Sequence, residues 1–407
     1  MTEKSETQPP GMYCPGFQAA GVFAGIKKKA AGAAELKDLG LILADRPVQV
    51  AALFTRNQIQ AAPVALSRQR VAAGTCRALI ANSGNANCAI GPQGMRDALA
   101  MTRLAAEQLS VDPDGVLVAS TGVIGQPLPM AVIQAALPEL VRALQPDGFT
   151  AFARAIMTTD RVPKLALRTE TMEGRPVHLL GMAKGAGMIQ PDMATMLAFV
   201  CTDAAIASGQ LKEMLTQAVN RTLNRITIDG DTSTNDSIFL MASGASGVEI
   251  QTPRQIAGFQ DALDALLLDL AKQLVKDGEG ATKLVEIRVC GAPSDVAAHQ
   301  VAATVANSPL VKTALFGEDA NWGRVLAAAG RAGVAFDPEA VSIAFDERVI
   351  FQNGRWQGKE LEARVTEVIR RPEFAITLDL HQGPGADTVY TCDLSVDYVR
   401  INADYRT

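Results

Sequence analysis

Chemistry is written most densely between residues 181 and 204, which read Gly-Met-Ala-Lys-Gly-Ala-Gly-Met-Ile-Gln-Pro-Asp-Met-Ala-Thr-Met-Leu-Ala-Phe-Val-Cys-Thr-Asp-Ala. Gly181, Gly185 and Gly187 allow close approach of a neighbouring chain or ligand. Pro191 fixes φ and removes a donor. From Thr195 the text turns into an apolar run of strand length, Thr195 to Cys201. A Gly-rich loop therefore delivers a hydroxyl to the start of a buried strand, with the small residue Ala194 before it. Plain packing would account for such a threonine. The functional reading is an N-terminal nucleophile. In that reading the Thr195 hydroxyl attacks the Ala194 carbonyl, the chain is cut by an N-to-O acyl shift, and Thr195 becomes a chain start. Its freed α-amine, with an ordinary pKa of about 7.7–8.0, then serves as the base for its own hydroxyl.

That scheme needs no histidine, and the chain has only three, His178, His299 and His381, none in a catalytic or metal-binding pattern. Cys14, Cys76, Cys88, Cys201, Cys290 and Cys392 are scattered singly, without the pairing of a zinc or redox motif. They read as buried reduced thiols.

Other stretches could form the rest of a site. Val116 to Ala119 is a short strand running into Ser120-Thr121-Gly122, where a hydroxyl and a backbone N–H could face an oxyanion. Asn82 to Asn87 reads as a turn after a strand at Cys76 to Ala81, either structural or a polar pocket wall. Met157-Thr158-Thr159-Asp160 follows an apolar segment. Asp229 to Ser237 is acidic and hydroxyl-rich, but its spacing does not match a calcium loop. Glu279 stands between Gly278 and Gly280, and Gly278 suits a helix C-terminal cap.

The elements that must position these residues are mixed strands and helices. Amphipathic helices are predicted over 93–109, 130–145 (disturbed at Pro138), 211–223 and from Phe259 to about Lys276. Strands are predicted at Leu41 to Leu43 and Val48 to Phe54. From Leu284 the pattern becomes strand, helix (Val296 to Ala306), an Asn353-Gly354 hairpin and a strand from Thr391 to Ile401. A boundary is placed near residue 285, giving domains 1–285 and 286–407.

With 407 residues, 48% hydrophobic and 20% charged, the chain can bury a large core. A net charge of −5 argues against nucleic acid or an anionic membrane as partner. The polar first ten residues lack an export signal's apolar core, and no apolar run is long enough to span a membrane, so a cytoplasmic location is expected. Lys184-Gly185-Ala186-Gly187 lacks the third glycine of a dinucleotide fingerprint, and no phosphate loop occurs.

Lys184 to Ile189 with Met193-Ala194-Thr195-Met196-Leu197 resembles the self-cleavage motif of the ornithine acetyltransferase (glutamate N-acetyltransferase) family of arginine biosynthesis. Blocks at 82–87, 120–125, 157–160, 229–237, 277–283, 317–324 and 402–407 resemble that family in order, from about residue 11 to the last. Ile90 departs from it, standing where threonine is more common. The resemblance implies an α/β fold with a layered α/β/β/α catalytic region of N-terminal-nucleophile type and a smaller C-terminal α/β domain that supplies the last residues of the site. It implies cleavage between Ala194 and Thr195 into an α chain, 1–194, and a β chain from 195, assembled as an α2β2 heterotetramer. Thr195 is then the nucleophile, and Thr121 and Gly122 form the oxyanion hole. Thr158, Lys184, Thr195, Glu279, Asn402 and Thr407 bind the amino acid. The expected reaction is ping-pong transfer of acetyl from N2-acetylornithine to glutamate, with no metal or cofactor and with acetyl-CoA as a second donor. An amidohydrolase or aminopeptidase on the same scaffold is the alternative, with water as acceptor. A non-catalytic amino-acid-binding protein is a further one.

Overall fold

A computed structural model describes residues 11–28, 36–190 and 196–404. Ala194, Thr195 and Thr407 lie outside the described residues. The strands are β1 (Phe17–Val22), β2 (Leu39–Phe54), β3 (Thr75–Asn85), β4 (Val116–Val123), β5 (Lys164–Met172), β6 (Arg175–Lys184), β7 (Leu197–Thr202), β8 (Ile226–Thr227), β9 (Ser237–Ala242), β10 (Leu284–Ala292), β11 (Ser342–Phe345), β12 (Arg348–Gln352), β13 (Arg355–Trp356), β14 (Glu373–Asp379) and β15 (Gly385–Cys392). The helices are α1 (Ala62–Val71), α2 (Pro92–Leu109), α3 (Met130–Arg142), α4 (Phe149–Ala155), α5 (Ser208–Arg221), α6 (Pro253–Lys276), α7 (Asp295–Ala306), α8 (Pro309–Phe316), α9 (Trp322–Gly330), α10 (Lys359–Ile369) and α11 (Val396–Asp404).

Side chains alternate across a strand, so each strand divides its apolar residues between two faces. Ile42, Leu79, Ala81, Leu117 and Ala119 of β2, β3 and β4 share a core with Leu180, Met182, Leu197, Phe199 and Phe239 of β6, β7 and β9. Their alternates point outwards. Leu41, Ile80 and Val118 pack under α2 and α3. Leu179, Val200 and Leu240 pack under α5 and α6. The result is a four-layer α/β/β/α stack.

One hydrogen-bonded path, β4-β3-β2-β9-β7-β6-β5, supplies both inner layers. The long β2 carries the crossing. Its first half pairs with β1 and β3, its pairing with β3 slips between Leu43 and Val48, and residues 49–54 pair with β9. Phe152 meets Phe199 edge-on at 5.0 Å between the layers, and Phe199 stacks on Phe239 at 5.7 Å.

The second sheet, β13-β12-β11-β14-β10-β15-β8, closes a separate core with α7, α9 and α10. Leu284, Tyr390 and Cys392 join the core around α6, which ties this sheet to the outside of the stack. The pairing of β8 with β15 adds a second tie.

Three local expectations change. Residues 82–85 continue β3, because the parallel pairing with β4 extends to Asn85. Residues 391–401 are not one strand: β15 ends at Cys392 and α11 begins at Val396. Asp393 turns the chain by accepting the Thr282 and Lys283 amides, and Ser395 Oγ then accepts the Tyr398 N–H as an N-cap. After α6 the left-handed glycine is Gly280 (φ +68°), not Gly278.

Candidate active site

The ends of β4, β6 and α6, the start of β7 and the helix α11 meet at one cavity of about 190 Å3, open to solvent at its mouth. Thr121, Gly122, Thr158, Lys184, Glu279 and Asn402, all the expected site residues that are described, line it together. Met196 and Leu197, which follow Thr195 in the chain, line it too.

Thr121 and Gly122 come from the end of β4. Gly122 has φ +132°, and a Cβ there would lie 2.4 Å from the Gly84 carbonyl carbon and 2.5 Å from the Asn85 nitrogen. Only glycine lets β4 lie this close to β3. The asparagines before it are a brace and do not line the cavity. Asn82 accepts from the Ser120 hydroxyl and donates to the Asn85 carbonyl, and Asn85 donates to the Gln126 and Pro127 carbonyls. Ile90 is not among the lining residues either, so the departure from the family pattern leaves the cavity wall unchanged.

Lys184, the last residue of β6, donates to Thr121 Oγ1 at 3.3 Å. With that oxygen accepting, the Thr121 O–H is free to turn to another acceptor. Burial holds the Lys184 ammonium below its ordinary value, against the pull of Asp160, Asp236 and Glu279.

Behind the cavity runs a buried ionic chain. Lys164 Nζ lies 2.6 Å from both Asp160 Oδ1 and Asp277 Oδ2. Asp160 also accepts the Gly185 amide at 2.7 Å and the Thr158 amide at 2.8 Å. Burial alone would raise the Asp160 carboxyl, but Lys184, Lys164 and these hydrogen bonds hold it well below the usual carboxylate range. One carboxylate thus joins the Thr158 loop to the turn after Lys184.

The far wall comes from α6 and α11. The Glu279 amide donates to the Ala186 carbonyl at 2.8 Å, and Glu279 Oε2 accepts from Asn402 Nδ2 at 2.7 Å. A Cβ on Gly187 would sit 2.5 Å from that carboxylate oxygen, so Gly187 leaves its place to Glu279. Tyr398, four residues before Asn402 and on the same helix face, donates to Asp229 Oδ2 at 3.3 Å. Burial and the Asp229 charge push the Tyr398 phenol up. Asp229 also accepts the Met188 and Ile189 amides at 2.6 and 2.8 Å.

Sequence reasoning missed Asp160, Asp229, Tyr398 and Asp236 as parts of the site. The i, i+4 spacing of Asp160 and Lys164 was a legible hint. Tyr398 was hidden by the reading of its segment as a strand. No group of three or more potential metal ligands occurs among the described residues.

Residues 18–407 match the ArgJ family. The chain belongs to that family. It is 50% identical over 398 residues to Arginine biosynthesis bifunctional protein ArgJ of Geobacter sulfurreducens, covering 97% of this chain and 100% of the relative. It is 49% identical over 398 residues to the protein of the same name from Desulfotalea psychrophila, again over 97% and 100%. Among solved structures it is similar to Arginine biosynthesis bifunctional protein argJ from Bacillus halodurans, at 44% identity and a TM-score of 0.49, covering 51% of this chain and 98% of that one. As an ArgJ family member the chain carries its cavity where the strand, loop and helix ends of the stack converge. No described helix is long and apolar enough to cross a membrane.

Proposed function

We propose that this chain is a self-cleaving N-acetyltransferase of arginine biosynthesis that moves acetyl from N2-acetylornithine to glutamate. The observation that carries the reading is the convergence of Thr121, Gly122, Thr158, Lys184, Glu279 and Asn402 on one cavity beside Met196. Membership of the ArgJ family and the names of its relatives support it.

Cleavage between Ala194 and Thr195 frees the Thr195 amine. The Thr195 hydroxyl attacks the acetyl carbonyl of N2-acetylornithine while the amine takes its proton. The tetrahedral oxyanion is held by the Thr121 O–H and the Gly122 N–H. The C–N bond breaks, the amine returns its proton to the departing ornithine nitrogen, and an acetyl ester remains on Thr195. The α-amine of glutamate attacks that ester, its proton passes through the same amine to the Thr195 oxygen, and N-acetylglutamate leaves. One site holds the two amino acids in turn, which makes the kinetics ping-pong.

Lys184, Asn402 and Thr407 offer donors to the amino acid's carboxylate. Glu279 faces the ornithine side-chain ammonium, and Thr158 adds a hydroxyl. Acetyl-CoA serves as a second donor for Thr195. The chains assemble as α2β2 in the cytoplasm, with 286–407 as the smaller domain.

Incubation with N2-acetylornithine and glutamate, followed by mass analysis, tests this. N-acetylglutamate and a two-chain protein cut before Thr195 are expected. Free acetate without N-acetylglutamate would make it a hydrolase, and an intact chain that transfers acetyl would end the mechanism.

A further inference from the structure

Asp236 lines the same cavity but has no part in the chemistry above. It is 2% exposed. Ser233 serves its carboxyl through a hydroxyl and a backbone N–H, while Oδ2 has no hydrogen-bond partner among the described residues. A buried carboxyl oxygen without a partner is costly. Burial pushes this carboxyl well above its ordinary value, against Ser233 and Lys184. The other titratable groups lining the cavity are Lys184, Asp229, Asp231, Glu279 and Tyr398. Asp229 is occupied by the Met188 and Ile189 amides and Tyr398, and Glu279 accepts from Asn402 through Oε2 and is assigned above to the ornithine side chain. Lys184, the sole lysine or arginine in the described lining, is bonded to Thr121. Among the described residues Asp236 is therefore a buried acid with one unpartnered oxygen and no cation of its own.

Its place in the sheet says what would complete it. Ser237 N donates to Met196 O at 3.0 Å, and the parallel register pairs Leu197 with Ser237. Asp236 therefore flanks Met196. We propose that Asp236 is a second amine receptor of this cavity, beside Glu279: its free oxygen accepts a hydrogen bond from a primary amine and holds the countercharge when that amine is protonated. This deepens the acetyltransferase reading and rests on it. Apart from the ornithine side-chain amine assigned to Glu279, two amines have the required chemistry. One is the α-amine of the bound amino acid. The other is the amine that cleavage exposes one residue ahead of Met196, about 3.8 Å along the chain in Cα spacing. With the second, Asp236 does for an amine base what a third group does for the base of a nucleophile–base pair. The proton moves from hydroxyl to amine, and the carboxylate stabilises the ammonium that forms.

The test uses D236N, D236S and D236E in the full chain, with intact mass to follow cleavage and kcat/KM for acetyl transfer followed against pH. If the chain-start amine is received, the acid limb in D236N moves by about half a unit or more to lower pH, because a neighbouring negative charge raises an amine's pKa. KM then stays within about twofold, and D236E recovers part of the shift. If the substrate α-amine is received, KM for glutamate rises about tenfold or more, as expected for a lost hydrogen bond to a charged group, and the acid limb stays. An unchanged limb and KM in D236N overturn the assignment. So does failure of both neutral variants to fold, which would make the carboxyl structural, or failure of folded D236N to cleave, which would place it in the cleavage step. A wild-type chain that is uncut or inactive sinks the acetyltransferase reading itself, before any variant is compared.

Discussion

Thr121 shows how one hydrogen bond sets the job of another. Because Lys184 donates to its oxygen, its own proton is free for an oxyanion. Thr121→Val keeps the shape and removes that donor. Steady-state assays should show kcat for acetyl transfer falling about 10²–10³-fold, with KM changed little; an unchanged kcat would take Thr121 out of the oxyanion hole. Asp160 works at the same scale but through stability. Asp160→Asn breaks a fully buried pair with Lys164 and should cost about 3–5 kcal/mol at neutral pH in urea unfolding. The folded carboxyl is held below its unfolded value, so its stabilisation is complete above the ordinary range near about 3.9 and is lost as pH falls through the depressed folded value. The unfolding midpoints of the two proteins should converge as pH is lowered past that range; parallel curves would contradict the sign.

At the scale of elements, α11 is the piece on which the far wall depends. It carries Tyr398 and Asn402 at i, i+4, and its start is capped by Ser395. Ser395→Ala should cost about 1 kcal/mol of helix stability and raise KM for the amino acid, since Asn402 reaches Glu279 only from an ordered helix. A normal KM with lowered stability would separate α11 from binding. Gly187→Ala addresses the same wall from its Glu279 side. The added methyl would stand 2.5 Å from Glu279 Oε2, so KM for ornithine-bearing substrate should rise while self-cleavage, read by intact mass, proceeds. Asn402 was expected at the site by family resemblance, but the helix that carries it, and Tyr398 with it, was not legible. The apolar text runs on from β15, and the break depends on Asp393 reaching back to Thr282 and Lys283, a contact more than a hundred residues away in sequence.

For the whole molecule, the position of the proposed cut matters more than its chemistry. Residues 1–194 contribute β2 and β6, and residues 195–407 contribute their partners β9 and β7. The two pieces share the central core, with Leu180 and Met182 packed beside Leu197 and Phe239. Cleavage therefore should not separate them. A denaturing gel should resolve two chains, whereas native mass spectrometry should find both in one species, expected as α2β2. Two chains that part under native conditions would mean that the sheet does not hold the halves.

Composition and local pattern were enough to determine the long helices α2 and α6 and the Asn353-Gly354 hairpin, because these rest on periodicity and residue type over short spans. The set of site residues came from family resemblance; the local pattern offered Thr121 and Gly122 only as possible oxyanion donors and Thr195 as a possible nucleophile. Only the tertiary structure decided that β2 crosses between two layers, that Asn82–Asn85 braces β4 instead of facing the cavity, and that Asp160, Asp229 and Asp236 are three carboxylates with three different surroundings. Each of those outcomes is set by burial and by partners far away along the chain, and neither quantity is a property of a residue's immediate neighbours.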